Sequence, residues 1–289
     1  MQFAKRDGVA ALEVAGGEAA GFLNDLLTAQ IANLEAGQAQ AACLLTPQGR
    51  ILFDMMVFCV SQERFWLQLP ADEINAFQKR LMMYRLRRPV EIKAVAHWQS
   101  AIIFDSSAML LEKPIQGAFA DPRDGLLGWH IVSASEDIGL VEGAVLADEA
   151  DWHRLRIQRN VPEGATDLIR NRALMLEAGL DHLNAVDFSK GCYIGQEVTA
   201  RTHYRGLVKR RIVPVQSATG GLAPEMDILR ADIIIGQILS CSDDAGIALA
   251  HIRLDALQAH IKADVSLVAG DAELSIHYPE DLPPLKFAE

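Results

Sequence analysis

Beyond Arg210 the chain changes texture. Short β-type runs, Ile212 to Val215, Ile233 to Leu239, Ile247 to His251, Val265 to Val268 and Leu274 to His277, alternate there with Gly, Asp and Pro turns. That is the pattern of a small barrel or sandwich. Upstream, helical and strand patterns mix without a steady βαβ rhythm, and neither a dinucleotide fingerprint nor a P-loop motif occurs, which argues against nucleotide chemistry. A length of 289 residues suits two domains or three. The boundary is expected near 206–212, dividing the chain into 1–208, with two interleaved subdomains, and 209–289.

In the first region, Phe22, Leu23, Leu26, Leu27 and Ile31 recur at helical spacing over residues 18–31, with Gly37 as a stop. Apolar runs at 38–45 and 50–60 flank Thr46-Pro47-Gln48-Gly49, where Pro and Gly fall at the second and fourth positions of a type I turn. A β-hairpin is expected there. Phe65 to Leu69 alternates as a third strand, and Asp72 is placed to cap a helix carrying Ile74, Phe77, Leu81 and Met82 before Pro89. Further strands are expected near 90–95, 101–104 and 128–132. Helices are expected over 152–161 and 172–180, broken by Pro162 and Gly164, and again from about Gln196.

Charge and cysteines bound the environment. The net charge of −11 disfavours general affinity for nucleic acid or anionic membrane. No run of 18 apolar residues exists, and residues 1–8 read neither as a secretory signal nor as an Arg/Ser-rich transit peptide. Cys43, Cys59, Cys192 and Cys241 are scattered with no CxxC pair, so a soluble protein of the reducing cytoplasm is expected. The eight histidines form no HExxH pattern, and a resident metal is not expected.

One segment carries chemistry: Lys190-Gly191-Cys192-Tyr193-Ile194-Gly195-Gln196-Glu197, followed by Arg201. A thiol two residues from a Lys and close to a helix N-terminus sits in an electropositive setting that favours the thiolate. In the alternative reading Gly191 and Gly195 form a tight turn and Cys192 is a small buried hydrophobe.

This segment resembles the signature of the YgfZ family, folate-binding relatives of the glycine-cleavage T-protein (aminomethyltransferase) that support iron–sulfur enzymes. Residues 9–31, LTPQGRILFD at 45–54, YRLRRPVEI at 84–92, DPRDGLLGW at 121–129 and RLRIQRNVPEG at 154–164 are similar to the same family. The resemblance implies an α+β, T-protein-like fold with a C-terminal β-barrel and a slot for the pterin of tetrahydrofolate or a one-carbon derivative. It nominates Asp54 and Gln158 for the pterin edge, with Tyr193, Gln196, Glu197 and Arg201 as further folate contacts. Cys192 and Lys190 would act on, or dock to, iron–sulfur enzymes or assembly proteins, with tRNA modification downstream and tRNA a further partner. Where the T-protein strand carries paired acids, this chain has Phe53-Asp54, and where its helix carries Glu, this chain has Gln158. Lost carboxylates weaken the case for aminomethyl transfer. The competing reading is a folate-dependent one-carbon transferase or demethylase with Asp54 as base.

Residues 170–211 hold eight basic against four acidic residues, a local anion-binding face for folate glutamates, an acidic partner or RNA. Tyr84, Arg85, Arg87 and Arg88 form a second, smaller cluster.

Overall fold

The computed structural model describes residues 1–104, 116–135, 138–242, 246–263 and 265–287. Two compact units emerge, one of residues 1–48, 52–152 and 183–196, the other of 49–51, 153–182 and 197–289.

The first unit opens with strands β1 (Gln2–Lys5) and β2 (Val9–Ala15), followed by helix α1 (Ala19–Leu26). Then come β3 (Ala39–Leu45), β4 (Ile51–Ser61) and β5 (Arg64–Pro70), helix α2 (Ile74–Arg85) and β6 (Glu91–Ala94). It closes with β7 (Gln99–Phe104), β8 (Ala118–Ala120), β9 (Trp129–Ser133) and the short β10 (Val145–Leu146). Five strands in the order β3-β4-β5-β2-β6 form one sheet, and β10-β1-β7-β9-β8 form another.

Strand alternation gives the first sheet two faces. Val57, Cys59, Phe65, Leu67, Leu12 and Val14 point into a core filled by Phe22, Leu23 and Leu26 of α1 and Ile74, Phe77 and Leu81 of α2. Each such apolar side chain contributes about 1.5–3 kcal/mol on burial. Helix α1 is shorter than its periodicity suggests. Leu27 turns extended (φ −91°, ψ 157°) and bridges Leu44, and Thr28 donates its N–H to Cys43. Strand pairing outcompetes helix propagation there. Asp72 does not cap α2, which starts at Ile74 out of a short turn over Ala71–Glu73.

The DPRDGLLGW stretch forms a buried electrostatic corner. Asp121 accepts hydrogen bonds from the Arg123 backbone N–H at 2.9 Å and from its guanidinium at 3.0 and 2.7 Å, and lies 2.9 Å from His130 Nε2. Gly128, at φ +83°, has no alternative, because a Cβ would fall 1.9 Å from the Ile103 carbonyl oxygen.

The segment 149–205 carries helices α3 (Glu149–Gln158), α4 (Gly164–Asp167) and α5 (Gln196–Arg205). Residues 172–180, expected as a helix, are instead turns around an isolated bridge at Leu174, preceded by left-handed Asn171 and carrying left-handed Gly179. Their carbonyls serve the barrel: Glu177 accepts from Ile212 N–H, and Leu176 from the Arg211 guanidinium. The barrel closes in the order β11-β14-β13-β12-β15-β16, from β11 (Arg210–Ser217), β12 (Asp227–Arg230), β13 (Ile233–Ser242), β14 (Ile247–Arg253), β15 (Leu267–Ala269) and β16 (Ala272–Ile276). Helix α6 (Leu254–Ala263), unannounced by the sequence pattern, supplies Leu254, Ala256 and Leu257 to its core. Arg156, buried, donates to Asp167 Oδ2 at 2.7 Å and to Ser240, while Ser240 N–H donates to Asp167 Oδ1 at 2.9 Å. This network fastens 153–182 to β13. No helix among the described residues is long and apolar enough to cross a membrane.

Burial alone would raise the Asp121 carboxyl, but the Arg123 and His130 partners outweigh it and hold the group well below the usual carboxylate range. Its stabilising contribution is therefore complete above the ordinary value of 3.8 and is lost as pH falls through the depressed folded value. Chemical denaturation from pH 5 to pH 2 should show a loss on the order of 2 kcal/mol from this group in the wild type, and a flatter profile in Asp121→Asn.

Candidate functional site

Residues 185–196 return to the first unit and dock at the end of α1. Ala185 and Val186 are buried, and Asp187 Oδ1 then accepts from Ser189 N–H (2.7 Å), Ser189 Oγ (2.6 Å) and Lys190 N–H (3.2 Å), an Asx-type turn that reverses the chain. Thr28 Oγ1 donates to the Ala185 carbonyl at 2.7 Å and accepts from Cys43 N–H at 2.9 Å. The Asp187 N–H donates to the Thr28 carbonyl at 3.0 Å.

Lys190 completes the junction. Its buried ammonium donates to the carbonyls of Asn24 (2.6 Å), Leu27 (2.8 Å) and Ala29 (2.6 Å). A helix C-terminus leaves carbonyls unsatisfied, and α1 has no basic residue in its last turn, so a cation from far along the chain serves as its cap. Burial pulls the Lys190 ammonium down to about 8, opposed by Asp187 and Asp25. It is a cation at neutral pH with all three donors spent, and it sits 5.5 Å over the Tyr193 ring.

Cys192, two residues on, is exposed, whereas Cys43 and Cys59 are buried and Cys241 half-buried. The tight-turn reading of Cys192 as a buried hydrophobe is therefore corrected: its neighbours Lys190 and Tyr193 point inward and the thiol outward. Tyr193 is buried, its hydroxyl has no hydrogen-bond partner among the described residues, and burial pushes it up to about 12, with Asp187 and Cys43 adding to the shift. Ile194 packs against the helix-facing core.

The β3–β6 sheet has a second face. Ala42 and Leu44 belong to the helix-facing core, so Cys43 lies on the opposite face. Met55, Val57 and Cys59 likewise face the core, which turns Asp54 and Met56 to the other side. Met56 pairs with Gln68, a buried residue whose Oε1 lacks a partner among the described residues. Asp54, half-buried, and Gln68 thus share one face, and Tyr193 is buried with Cys43 as an electrostatic neighbour. Phe53 points the other way, its ring 5.1 Å from Phe77.

A reduced pterin presents N–H donors and a carbonyl along one edge. Two buried oxygens without partners among the described residues, Gln68 Oε1 and the Tyr193 hydroxyl, and the Asp54 carboxylate are a chemically suitable set for it, since unpaired buried groups are costly unless a ligand satisfies them. The remaining nominated residues lie on α3 and α5: Gln158 is the exposed last residue of α3, Gln196 the half-buried first residue of α5, and Glu197 and Arg201 are exposed on α5. Asn24, Thr28, Gln68 and Asp187 escaped sequence reasoning. Only the Asp187-x-Ser189 turn left a local signal; the others depend on partners far away in the chain. Among the described residues no group of three His, Cys, Asp or Glu side chains gathers to hold a metal.

The basic stretch of 170–211 is not uniformly a surface. Lys190 is spent as described, and Arg211, buried, is bonded to the Leu176 carbonyl, Asp181 (3.2 Å) and His182 (3.1 Å). Arg172 and Arg210 line a cleft of about 530 Å³ in the second unit, beside the His251–Glu177 pair.

Comparison with known proteins agrees with this architecture. The GCVT N-terminal domain matches residues 7–109, and the CAF17 C-terminal beta-barrel domain matches 209–284. The crystal structure of glycine cleavage system aminomethyltransferase T from Bartonella henselae superposes with a TM-score of 0.73 at 15% identity, covering 96% of this chain and 84% of that one. The chain is thus an aminomethyltransferase-like α+β protein with a closed barrel. The mitochondrial iron–sulfur cluster assembly factor IBA57 of Homo sapiens is 34% identical over 268 residues, covering 84% of this chain and 75% of its own. The mouse protein is 34% identical and the Neurospora crassa homologue 30%, with 64% and 53% of their lengths matched. This chain belongs to the YgfZ/CAF17/IBA57 family, and the relatives name its IBA57 members. They are mitochondrial proteins, which overturns the cytoplasmic expectation: scattered reduced thiols mark a reducing compartment without saying which one.

Replacing Lys190 by Met keeps the stem and removes the donors, leaving three buried carbonyls unmet. Lys190→Met should cost about 3 kcal/mol in urea denaturation at pH 7, with a folded far-UV spectrum retained.

Proposed function

We propose that this protein serves iron–sulfur cluster assembly as a reduced-folate-binding factor, with Cys192 as the thiol that meets an iron–sulfur enzyme or assembly protein. The observation that carries the reading is the pairing, on one short segment, of an outward thiol with an inward Tyr193 whose hydroxyl, like Gln68 Oε1, is buried and has no hydrogen-bond partner among the described residues. Asp54, Gln68 and Tyr193 would hold the pterin edge; Gln158, Gln196, Glu197 and Arg201 are proposed contacts to the rest of the folate. Bound tetrahydrofolate supplies a one-carbon carrier and a reductant. Lys190 acts through position, since its ammonium is consumed by carbonyls. Cys192 offers one thiolate where a cluster usually takes four, so the cluster is cargo shared with a partner's ligands. Effects on tRNA modification would follow through thiolating enzymes that carry clusters. The division into 1–208 and 209–289 is proposed as the division between folate region and barrel.

Aminomethyl transfer is the weaker reading. The residue next to Asp54 is Phe53, packed on Phe77, so no second carboxylate stands beside it.

Calorimetric titration with tetrahydrofolate and its 5-formyl analogue tests the pocket. Saturable binding, weakened at least tenfold in Asp54→Ala and unchanged in Cys192→Ala, is expected, and Cys192→Ala should fail to restore an iron–sulfur enzyme in cells lacking the native protein. No binding at millimolar ligand overturns the folate assignment; full restoration by Cys192→Ala overturns the thiol assignment.

A further inference from the structure

Helix α2 has two apolar stripes. One, Ile74, Phe77 and Leu81, fills the core. The other, Met82, Met83 and Leu86, points outward at 42%, 66% and 81% exposure. With Lys79 these residues follow i, i+3, i+4, i+7 spacing, the pattern of a helix face meant for contact.

The segment that carries this stripe has charge of one sign, with Asp25, paired to Arg88, and Glu91, in the adjoining cleft, as acids beside it. Between Ile74 and Val90 lie Lys79, Arg80, Arg85, Arg87 and Arg88 and no Asp or Glu, on a chain whose net charge is −11. Arg88 is paired with Asp25 and lies over the Phe22 ring, which anchors the loop. Lys79, Arg80 and Arg87 have no ion-pair partner among the described residues.

The stripe ends in a strained, fixed knob. Leu86 holds φ 49° and ψ −112°, a conformation costly for a branched side chain. Its own packing gives no return, because Leu86 is the most exposed of the three. The loop is nevertheless held: Arg88 N–H donates to the Arg85 carbonyl and Val90 N–H to the Arg88 carbonyl, each at 2.9 Å. Gly16 (φ +126°) lies so close beneath it that a Cβ would stand 2.5 Å from the Pro89 carbonyl oxygen. Beside the knob, Gly16 and residues 85–91 line a shallow cleft of about 590 Å³.

We propose that Met82, Met83 and Leu86, ringed by Lys79, Arg80 and Arg87, form a docking surface for a protein partner that presents an apolar pocket rimmed by carboxylates. Pliable methionines and a projecting Leu suit an apolar pocket, and Arg is favoured at such contacts. The cations steer an acidic partner and repel a basic one. RNA is disfavoured because no exposed aromatic side chain stands in the stripe for base stacking; Tyr84 packs against the core. An anionic bilayer is disfavoured because three aliphatic side chains bury little area against a chain that is itself strongly anionic. The surface needs neither folate nor Cys192, so its test is independent of the preceding reading.

The test installs a photo-reactive phenylalanine analogue at position 83 of the full chain in cells. The captured species is identified, then purified and titrated against wild type, Leu86→Asp and the double variant Arg80→Glu/Arg87→Glu. Circular dichroism confirms that these surface variants fold. Capture of an acidic protein whose affinity falls at least tenfold in each variant, and falls again between 0.1 and 0.5 M salt, is the expected result. Capture of RNA, lipid, a second copy of this chain or nothing overturns the proposal, as does an affinity that both variants leave unchanged.

Discussion

The candidate site depends on one interaction, the Lys190 ammonium held by three carbonyls at the end of α1. Helix α1 has eight residues, too few to be stable alone, and its last carbonyls have no helical partner. The donors come from 161 to 166 residues away. Burying an ammonium is costly, and the depressed proton affinity of Lys190 records that cost. Three short charge-assisted bonds offset it, because the ammonium has three donors and finds three acceptors. With that end fixed, the turn over 190–193 holds Lys190 and Tyr193 in and leaves Cys192 out.

The sheet beneath works by the same alternation. One face buries Phe, Leu and Val side chains against α1 and α2 and supplies stability. The other holds Asp54 and Gln68, and Gln68 Oε1, like the buried Tyr193 hydroxyl, has no partner among the described residues. A fold does not gain from such groups on its own account; positions that depart from the packing rules are where function is found. The same reasoning singles out Leu86, strained and exposed at the end of α2.

Much of this was legible in the sequence. The Thr46–Gly49 turn marked the boundary between β3 and β4, and the turn-punctuated runs after Arg210 marked the barrel strands. The KGCYIGQE segment marked the family. What escaped was set by distant partners. The short β1 and the Ala-rich β2 show little alternation, yet each lies inside a sheet. Residues 172–180 have helical spacing, but their carbonyls are drawn to Arg211 and Ile212. Nothing near Lys190 in sequence indicates that its charge belongs to the end of α1. A reader of residues alone assigns it to Cys192, which is adjacent in the chain but faces the other way.

Amide hydrogen exchange over residues 187–196, compared between wild type and Lys190→Met, tests the central claim most directly. If the ammonium is what holds this segment, its amides should be protected in the wild type and exchange at least tenfold faster in the variant, while β4 and β5 stay protected. Equal protection of 187–196 in both proteins would contradict the account, showing that the segment is held by other means and that Lys190 is free for another task.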